Sequence, residues 1–162
     1  MSLETIQSTH GRSLDLESLR GRTVVVFYES RDHVDDNLLL KESCGLLSEG
    51  AAMRNRLEVL GVADVEGLGF VRPVVTAAVR QVARRYGAEI WMDFDGVLKR
   101  APFAFGRRGS TVAILDPSGA LVFREDGPLD ADALDAFFTA LGGSLDRRAV
   151  RELVGRVGQA GV

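Results

Sequence analysis

Cysteine is almost missing: Cys44 is the only one in 162 residues. Its solitude excludes an internal disulfide, a Cys-x-x-Cys redox pair and a cysteine-rich zinc site. A cationic excess is missing too. Lysine and arginine number 20 against 23 acidic residues, for a net charge of -3 and a pI near 5.4. A nucleic-acid backbone needs a concentrated positive surface, so nucleic acid is not expected as a partner. The arginine pairs at 84-85, 107-108 and 147-148 have carboxylates interspersed and no aromatic ladder beside them, and read as solvated surface. No apolar run reaches the ~18 residues that span a bilayer, and no membrane partner is expected. The N-terminus lacks the basic and apolar regions of a signal peptide. The chain as read is therefore expected to be cytoplasmic. Met1-Ser2-Leu3 resembles an added leader, however, and if a signal was trimmed ahead of it the expectation becomes periplasmic. No internal repeat is visible.

What is present is an ordinary globule, 46% hydrophobic and 27% charged, long enough to bury a core within one domain. The organising stretch is Thr23 to Asp36, TVVVFYESRDHVDD, where a valine-rich strand at Val24 to Tyr28 stops at a polar loop. In α/β sheets ligands bind beyond the carboxyl ends of the strands, so this loop is the first place to look for chemistry. Asp35 or Asp36 is expected to cap a helix to about Leu47, since carboxylates suit a helix N-terminus. Leu40, Cys44 and Leu47 follow the i, i+4, i+7 spacing of its buried face.

Leu57 to Ala63 reads as a second strand and Gly67-Leu68-Gly69 as a link. Pro73 opens a helix to Tyr86 with Gly87 as its stop, and Ile90 to Met92 is a short third strand. Lys99 to Gly109 reads as a loop anchored by Phe103 and Phe105. It leads into a hairpin, STVAIL and ALVFRE, around the turn Asp116-Pro117-Ser118-Gly119. Asp130 or Asp132 caps a helix through Leu141 that Gly142-Gly143 should end, and Leu145 to Val157 adds an amphipathic turn or two. The expected division is a domain over residues 1-144 and a helical tail over 145-162, packed on or beside it.

This order of elements, with a Gly21-Arg22-x-Val24-Val25-Val26-Phe27 entry and the Leu115-Asp116-x-x-Gly119 turn, resembles the thioredoxin-like superfamily. Residues 69 to 141 more narrowly resemble the YtfJ family of bacterial thioredoxin-like proteins. The matching pieces are Gly69-Phe70-Val71-Arg72, the Asp93 to Val97 turn, Ser110 to Asp116 with Gly119, and Glu125-Asp126-Gly127 followed by Leu129. The resemblance implies a three-layer α/β sandwich: a central mixed sheet of parallel strands, an antiparallel C-terminal hairpin, and helices on both faces. It implies no redox activity and no cofactor. Where redox-active thioredoxins carry Cys-x-x-Cys, this chain has Asp32-His33-Val34-Asp35, and Gly109-Ser110 stands where a cis-proline is usual.

Several groups could carry chemistry. Asp32, His33, Asp35 and Asp36, with Glu29 before them, supply imidazole and carboxylate ligands for a divalent metal, but acidic residues are also expected at a helix start. An imidazole can also carry protons near neutral pH. Cys44, on an apolar helix face, reads as a core filler. Ile90 to Leu98, IWMDFDGVL, looks like the first motif of haloacid-dehalogenase-type phosphatases, with Asp93 as nucleophile and Asp95 as general acid beside magnesium; too little chain follows to supply the other motifs. Gly106 to Thr111 lacks the following helix that a phosphate cradle needs. Arg72 could hold a carboxylate through its planar fork. The expected function is that of a binding or regulatory module, with a ligand surface of Glu29, Asp32, His33, Asp35, Arg72 and Ser110 and a protein or small molecule as partner. The alternative is a metal-dependent hydrolase using Asp93 and Asp95 or the Asp32/His33/Asp35 loop. A homodimer is a third outcome, through Leu145, Val150, Leu153 and Val157.

Overall fold

The computed structural model describes residues 6-145 and 147-160; the Met1-Ser2-Leu3 stretch lies outside them. The elements in chain order are β1 (Gln7–Ser8), β2 (Thr23–Glu29), α1 (Leu38–Glu49), β3 (Leu57–Asp64), α2 (Arg72–Tyr86), β4 (Ile90–Asp93), β5 (Ser110–Leu115), β6 (Leu121–Asp126), α3 (Ala131–Ser144) and α4 (Arg147–Ala160). They form one mixed sheet in the order β1-β4-β3-β2-β5-β6. β2, β3 and β4 are mutually parallel, and β5, β6 and β1 each pair antiparallel to their neighbours. This is the α/β architecture expected, a six-stranded sheet with flanking helices.

β2 sits inside this order, and all seven of its residues are buried. A strand covered on both faces needs apolar residues at odd and even positions alike, which explains the unbroken TVVVFY run. Val25 and Phe27 face a core made with Leu40 and Cys44 of α1, Phe137 and Leu141 of α3, and Val150 of α4. Val24, Val26 and Tyr28 face the other way, against Leu60, Val62 and Trp91. That second core is closed by Leu14, Leu16 and Leu19 from the N-terminal segment and by Leu98, Phe103 and Phe105 from the β4–β5 connection.

The connections decide which face receives the helices. The chain steps from β2 to β3 to β4 in one direction across the sheet, and right-handed crossovers then place α1 and α2 on the same side. α2 reaches it through Val75 and Val79, which pack on Met92, Phe94 and Val65. The four α-helices therefore gather on one face, and the layer expected to be helical on the other is made by a 3-10 turn at Glu17–Leu19 with the 94-109 loop.

Most local punctuation works as read. Pro73 lies in the first turn of α2, and Gly87 ends it in the left-handed region at φ 62°. The Asp116 carboxylate accepts from the Ser118 amide (2.9 Å), the Ser118 hydroxyl (2.6 Å) and the Ala120 amide (3.0 Å), which fixes the hairpin turn. Asp130 caps α3 by accepting from the Ala133 amide.

Three boundaries differ from expectation. Neither Asp35 nor Asp36 caps α1: a 3-10 turn at Arg31–His33 intervenes, and the helix opens at Leu38 with Asn37 before it. Gly142-Gly143 does not end α3, which runs on to Ser144, because Phe137, Leu141 and Leu145 anchor that stretch in the core. Packing here outweighs the roughly 1 kcal/mol per glycine of lost helix propensity. The tail is a 14-residue helix rather than a turn or two. Leu145 and Val150 are buried and Val157 packs against the same core, so these residues serve their own domain; the side chain of Leu153 lies outside the described set.

Candidate functional site

The carboxyl edge of the parallel strands collects the residues singled out in the sequence. β2 ends at Glu29, the chain turns through Ser30 to Asn37, and the start of β5 lies opposite. The join is made by backbone, since the Ser30 amide donates to the Gly109 carbonyl at 2.8 Å.

At the centre stands Asp36. Its Oδ2 atom accepts from the Ser110 hydroxyl at 2.6 Å and lies 3.0 Å from His33 Nδ1. One carboxylate oxygen thus ties the loop after β2 to the first residue of β5. Serine, histidine and aspartate are all present, but not in the order of a hydrolytic triad. That device needs histidine in the middle, taking the serine proton. Here the carboxylate is in the middle and the serine hydroxyl is already donating to it.

The other edge of the His33 ring lies against Gly109. A Cβ built at Gly109 would fall 2.2 Å from His33 Cδ2, and the backbone there has φ +84°. Both facts require glycine: the closeness leaves no room for a side chain, and the conformation disfavours one. Gly109 and Ser110 therefore form a fitted seat for His33 and Asp36.

Glu29 is buried and salt-bridged, with Lys41 Nζ 2.9 and 2.7 Å from its two oxygens. Burial pushes its carboxyl above the ordinary range, Lys41 opposes that, and Asp36 and Asp35 reinforce it. Lys41 also donates to the Val34 carbonyl, so the pair braces the loop against α1. Asp32 and Asp35 are exposed and lie outside this network. Among the described residues no group of three or more His, Cys, Asp or Glu side chains is placed to hold a metal ion.

The remaining candidates take structural places. Asp93 is fully buried and accepts from the Val97 amide (2.8 Å), the Leu98 amide (3.0 Å) and the Tyr28 hydroxyl (3.1 Å). A carboxylate so occupied holds a turn and is not poised as a nucleophile; Asp95 beside it is exposed. Burial is the main cause that raises the Tyr28 phenol, with the Asp93 charge next. Arg72 stacks over the Phe94 ring at 4.3 Å, at the same edge of the sheet but on the α2 side. Cys44 is fully buried, and burial alone pushes its thiol up to about 12. A thiol in that state is inert.

Sequence reasoning named Asp36 only as a metal ligand or helix cap and left it out of the ligand surface, although it stands at i+3 from His33, a spacing that brings side chains together on a helical turn. The Glu29–Lys41 pair spans 12 positions and a change of element, and no local pattern announces it. The resemblance puts Gly109-Ser110 in the position of the usual cis-proline, but no local pattern announces the contact of Gly109 with the His33 ring.

Fold and site together define a class: a thioredoxin-like α/β protein whose loop after the central strand carries no thiol. The likeness to solved structures is broad and shallow. A thiol-disulfide isomerase from Corynebacterium glutamicum superposes with a TM-score of 0.63 at 15% identity, over 90% of this chain and 95% of that one. A pneumococcal exposed lipoprotein thioredoxin from Streptococcus pneumoniae gives 0.59 at 18%, over 85% and 97%. A secreted disulfide oxidoreductase from Mycobacterium tuberculosis gives 0.58 at 16%, over 86% and 94%. Identities this low speak for the fold alone. No family model matches the chain, and no curated protein matches it.

Proposed function

We propose that this protein is a binding or regulatory module on a thioredoxin-like fold, with no thiol-disulfide chemistry of its own. One observation carries the reading: at the carboxyl end of the central strand, where the fold offers a site, Ser30, His33 and Asp36 are locked to Gly109 and Ser110 with no sulfur among them. A rim that rigid presents a fixed shape, which suits recognition. Its exposed members, Asp32 and Asp35, meet the ligand, His33 and Ser110 set the floor, and Glu29 with Lys41 supports them from below. Arg72 contributes from the neighbouring surface, its guanidinium held by Phe94. The partner is a protein or small molecule with cationic or hydrogen-bond-donating groups to match the carboxylates. Kinship with the YtfJ-type proteins belongs to the same proposal and rests on the short motifs between residues 69 and 141.

An insulin-reduction assay with a dithiol donor tests the first half. No turnover above background is expected, and turnover abolished by Cys44→Ser would overturn it. The second half is read by amide NMR of the labelled protein titrated with short basic peptides. Shifts clustered at residues 29-36 and 109-110, and weakened in Asp32→Asn/Asp35→Asn, are expected; shifts confined to other surfaces would overturn the location.

A further inference from the structure

The corner where β1, the end of α2 and the start of β4 meet holds a pocket of about 350 Å³. It lies at the amino edge of the parallel strands, opposite the rim at residues 29-36. Its volume is that of a small-molecule site. Arg80 and Arg84 stand four apart on α2, so both guanidinium groups come to one side of the helix, the side that lines the pocket. Arg80 Nε donates to the Thr9 carbonyl at 3.1 Å, which steadies the fork and leaves its terminal amino groups with no acceptor among the described residues. Arg84 has no acceptor and no acidic partner among them. Thr9 completes the wall. It is 6% exposed, and its hydroxyl accepts from the Ile90 amide at 3.2 Å while its own proton has no acceptor among the described residues. A buried hydroxyl with an unused proton, beside two open guanidinium forks, is a donor set that an anion satisfies.

The wall contains one carboxylate, Glu89, and it is already taken. Arg12, which is not part of the wall, donates through Nε to Glu89 Oε1 at 3.0 Å and through Nη2 to Oε2. His10 Nδ1 stands 3.5 Å from the same carboxylate. The hydrogen bonds from Arg12 hold the Glu89 carboxyl below its ordinary range. Glu89 thus cancels Arg12, and the charges of Arg80 and Arg84 stay uncompensated within the wall. The carbonyl end of α2 works against an anion, with a dipole worth roughly half a charge. Two full charges outweigh it, and the Gly87 and Ala88 amides already occupy the carbonyls of Ala83 and Arg84.

We infer that this pocket is an anion site that takes a small phosphate monoester, held between the Arg80 and Arg84 forks with the Thr9 hydroxyl as a third donor. The phosphate group fits the donors better than a carboxylate does. It carries close to two negative charges at neutral pH against one, matching two unpaired arginines, and it presents three acceptor oxygens to the two forks and the hydroxyl. The volume beyond the phosphate leaves room for the small body that it esterifies. The pair Arg84-Arg85, which reads in the sequence as solvated surface, divides in the structure: Arg84 lines the pocket and Arg85 does not. This site is at the far edge of the sheet from the rim at residues 29-36, and the two stand or fall independently.

Amide NMR of the labelled full chain, titrated with methyl phosphate against sodium chloride at matched ionic strength, tests the inference. Saturable shifts at residues 8-10 and 83-90 are expected with methyl phosphate and not with chloride. Arg84→Gln should weaken the binding about tenfold, the loss of a charge-assisted fork. Arg85→Gln removes the same charge one residue away and should leave the affinity within about twofold, since a charge outside the pocket is screened by solvent. Both arginines are exposed, so the unfolding curves of the two variants should match the wild type. A parallel titration with acetate should give weaker binding at the same residues. Shifts that chloride reproduces, an affinity that Arg84→Gln leaves intact or that Arg85→Gln lowers equally, or acetate binding as tightly as methyl phosphate would each overturn the inference.

Discussion

A methyl group added at Gly109 would meet the His33 ring at 2.2 Å, on a backbone at φ +84°. Gly109→Ala should therefore lose about 1–2 kcal/mol from the left-handed backbone alone, and more from displacing His33. For a chain of this size a loss of 2 kcal/mol lowers the melting temperature by roughly 4–8 °C, which differential scanning calorimetry would register. The buried pair behind it gives a second expectation with a definite sign. The Glu29 carboxyl is raised in the folded state, so its contribution is most favourable below its unfolded value and diminishes as pH rises through the folded one. Lys41 limits that loss. Lys41→Met leaves a buried carboxylate without its counter-charge and should cost about 2–3 kcal/mol at pH 7, discounted because Lys41 is a quarter exposed. Near pH 4 Glu29 is largely protonated and the deficit should shrink. Urea denaturation of wild type and variant at the two pH values checks this; an equal deficit at both would show that the charge is not the cause.

At the scale of elements, the sequence carried most of what is local. Pro73 and Gly87 bracket α2, and Asp116 and Asp130 mark the hairpin turn and the start of α3, each through a contact made within five residues. Signals of that range survive in a bare sequence. The start of α1 was misplaced because its neighbours serve distant partners: Asp36 reaches Ser110, and Asn37 bridges to the loop between β6 and α3. Asn37 Nδ2 donates to the Gly127 carbonyl at 3.1 Å, and the Leu129 amide donates to Asn37 Oδ1 at 2.9 Å. Both bonds span about 90 positions, and an asparagine before a helix looks the same whether it caps its own helix or clamps another. Asn37→Ala should thus behave as the loss of a buried tertiary clamp, costing about 2–4 kcal/mol with two backbone groups left unpaired. Asn37→Asp keeps the acceptor for Leu129 but removes the donor to Gly127, and should fall between. Equilibrium unfolding ranks the three; if Asn37→Asp equalled or exceeded wild type, capping of α1 would be its main role instead.

For the whole molecule, the parts hardest to read were those whose role depends on what lies beneath them. The α4 segment, amphipathic and terminal, has the pattern of a partner-seeking tail, and nothing local distinguishes a face turned to another chain from one turned to its own. The fold decides it: α4 packs on both α1 and α3, and Val150 and Val157 join the core that holds Cys44 and Phe137. The same packing explains why the lone cysteine is inert, since its burial depends on the layer above as well as on its own helix. These two facts make a joint prediction. In the intact chain Cys44 should react with Ellman's reagent only as fast as the protein unfolds, its thiol being sealed and raised to about 12. Truncation after Leu145 removes the cover contributed by Val150 and Val157, and losing even two such apolar side chains costs about 3–6 kcal/mol, a large share of the 5–15 kcal/mol that holds a domain folded. Cys44 labelling should then accelerate by orders of magnitude, in step with exposure of the apolar core to a hydrophobic dye. Labelling that stayed slow in the truncated chain would mean that α1 and α3 seal the core unaided, leaving α4 free for the outward role its sequence suggested.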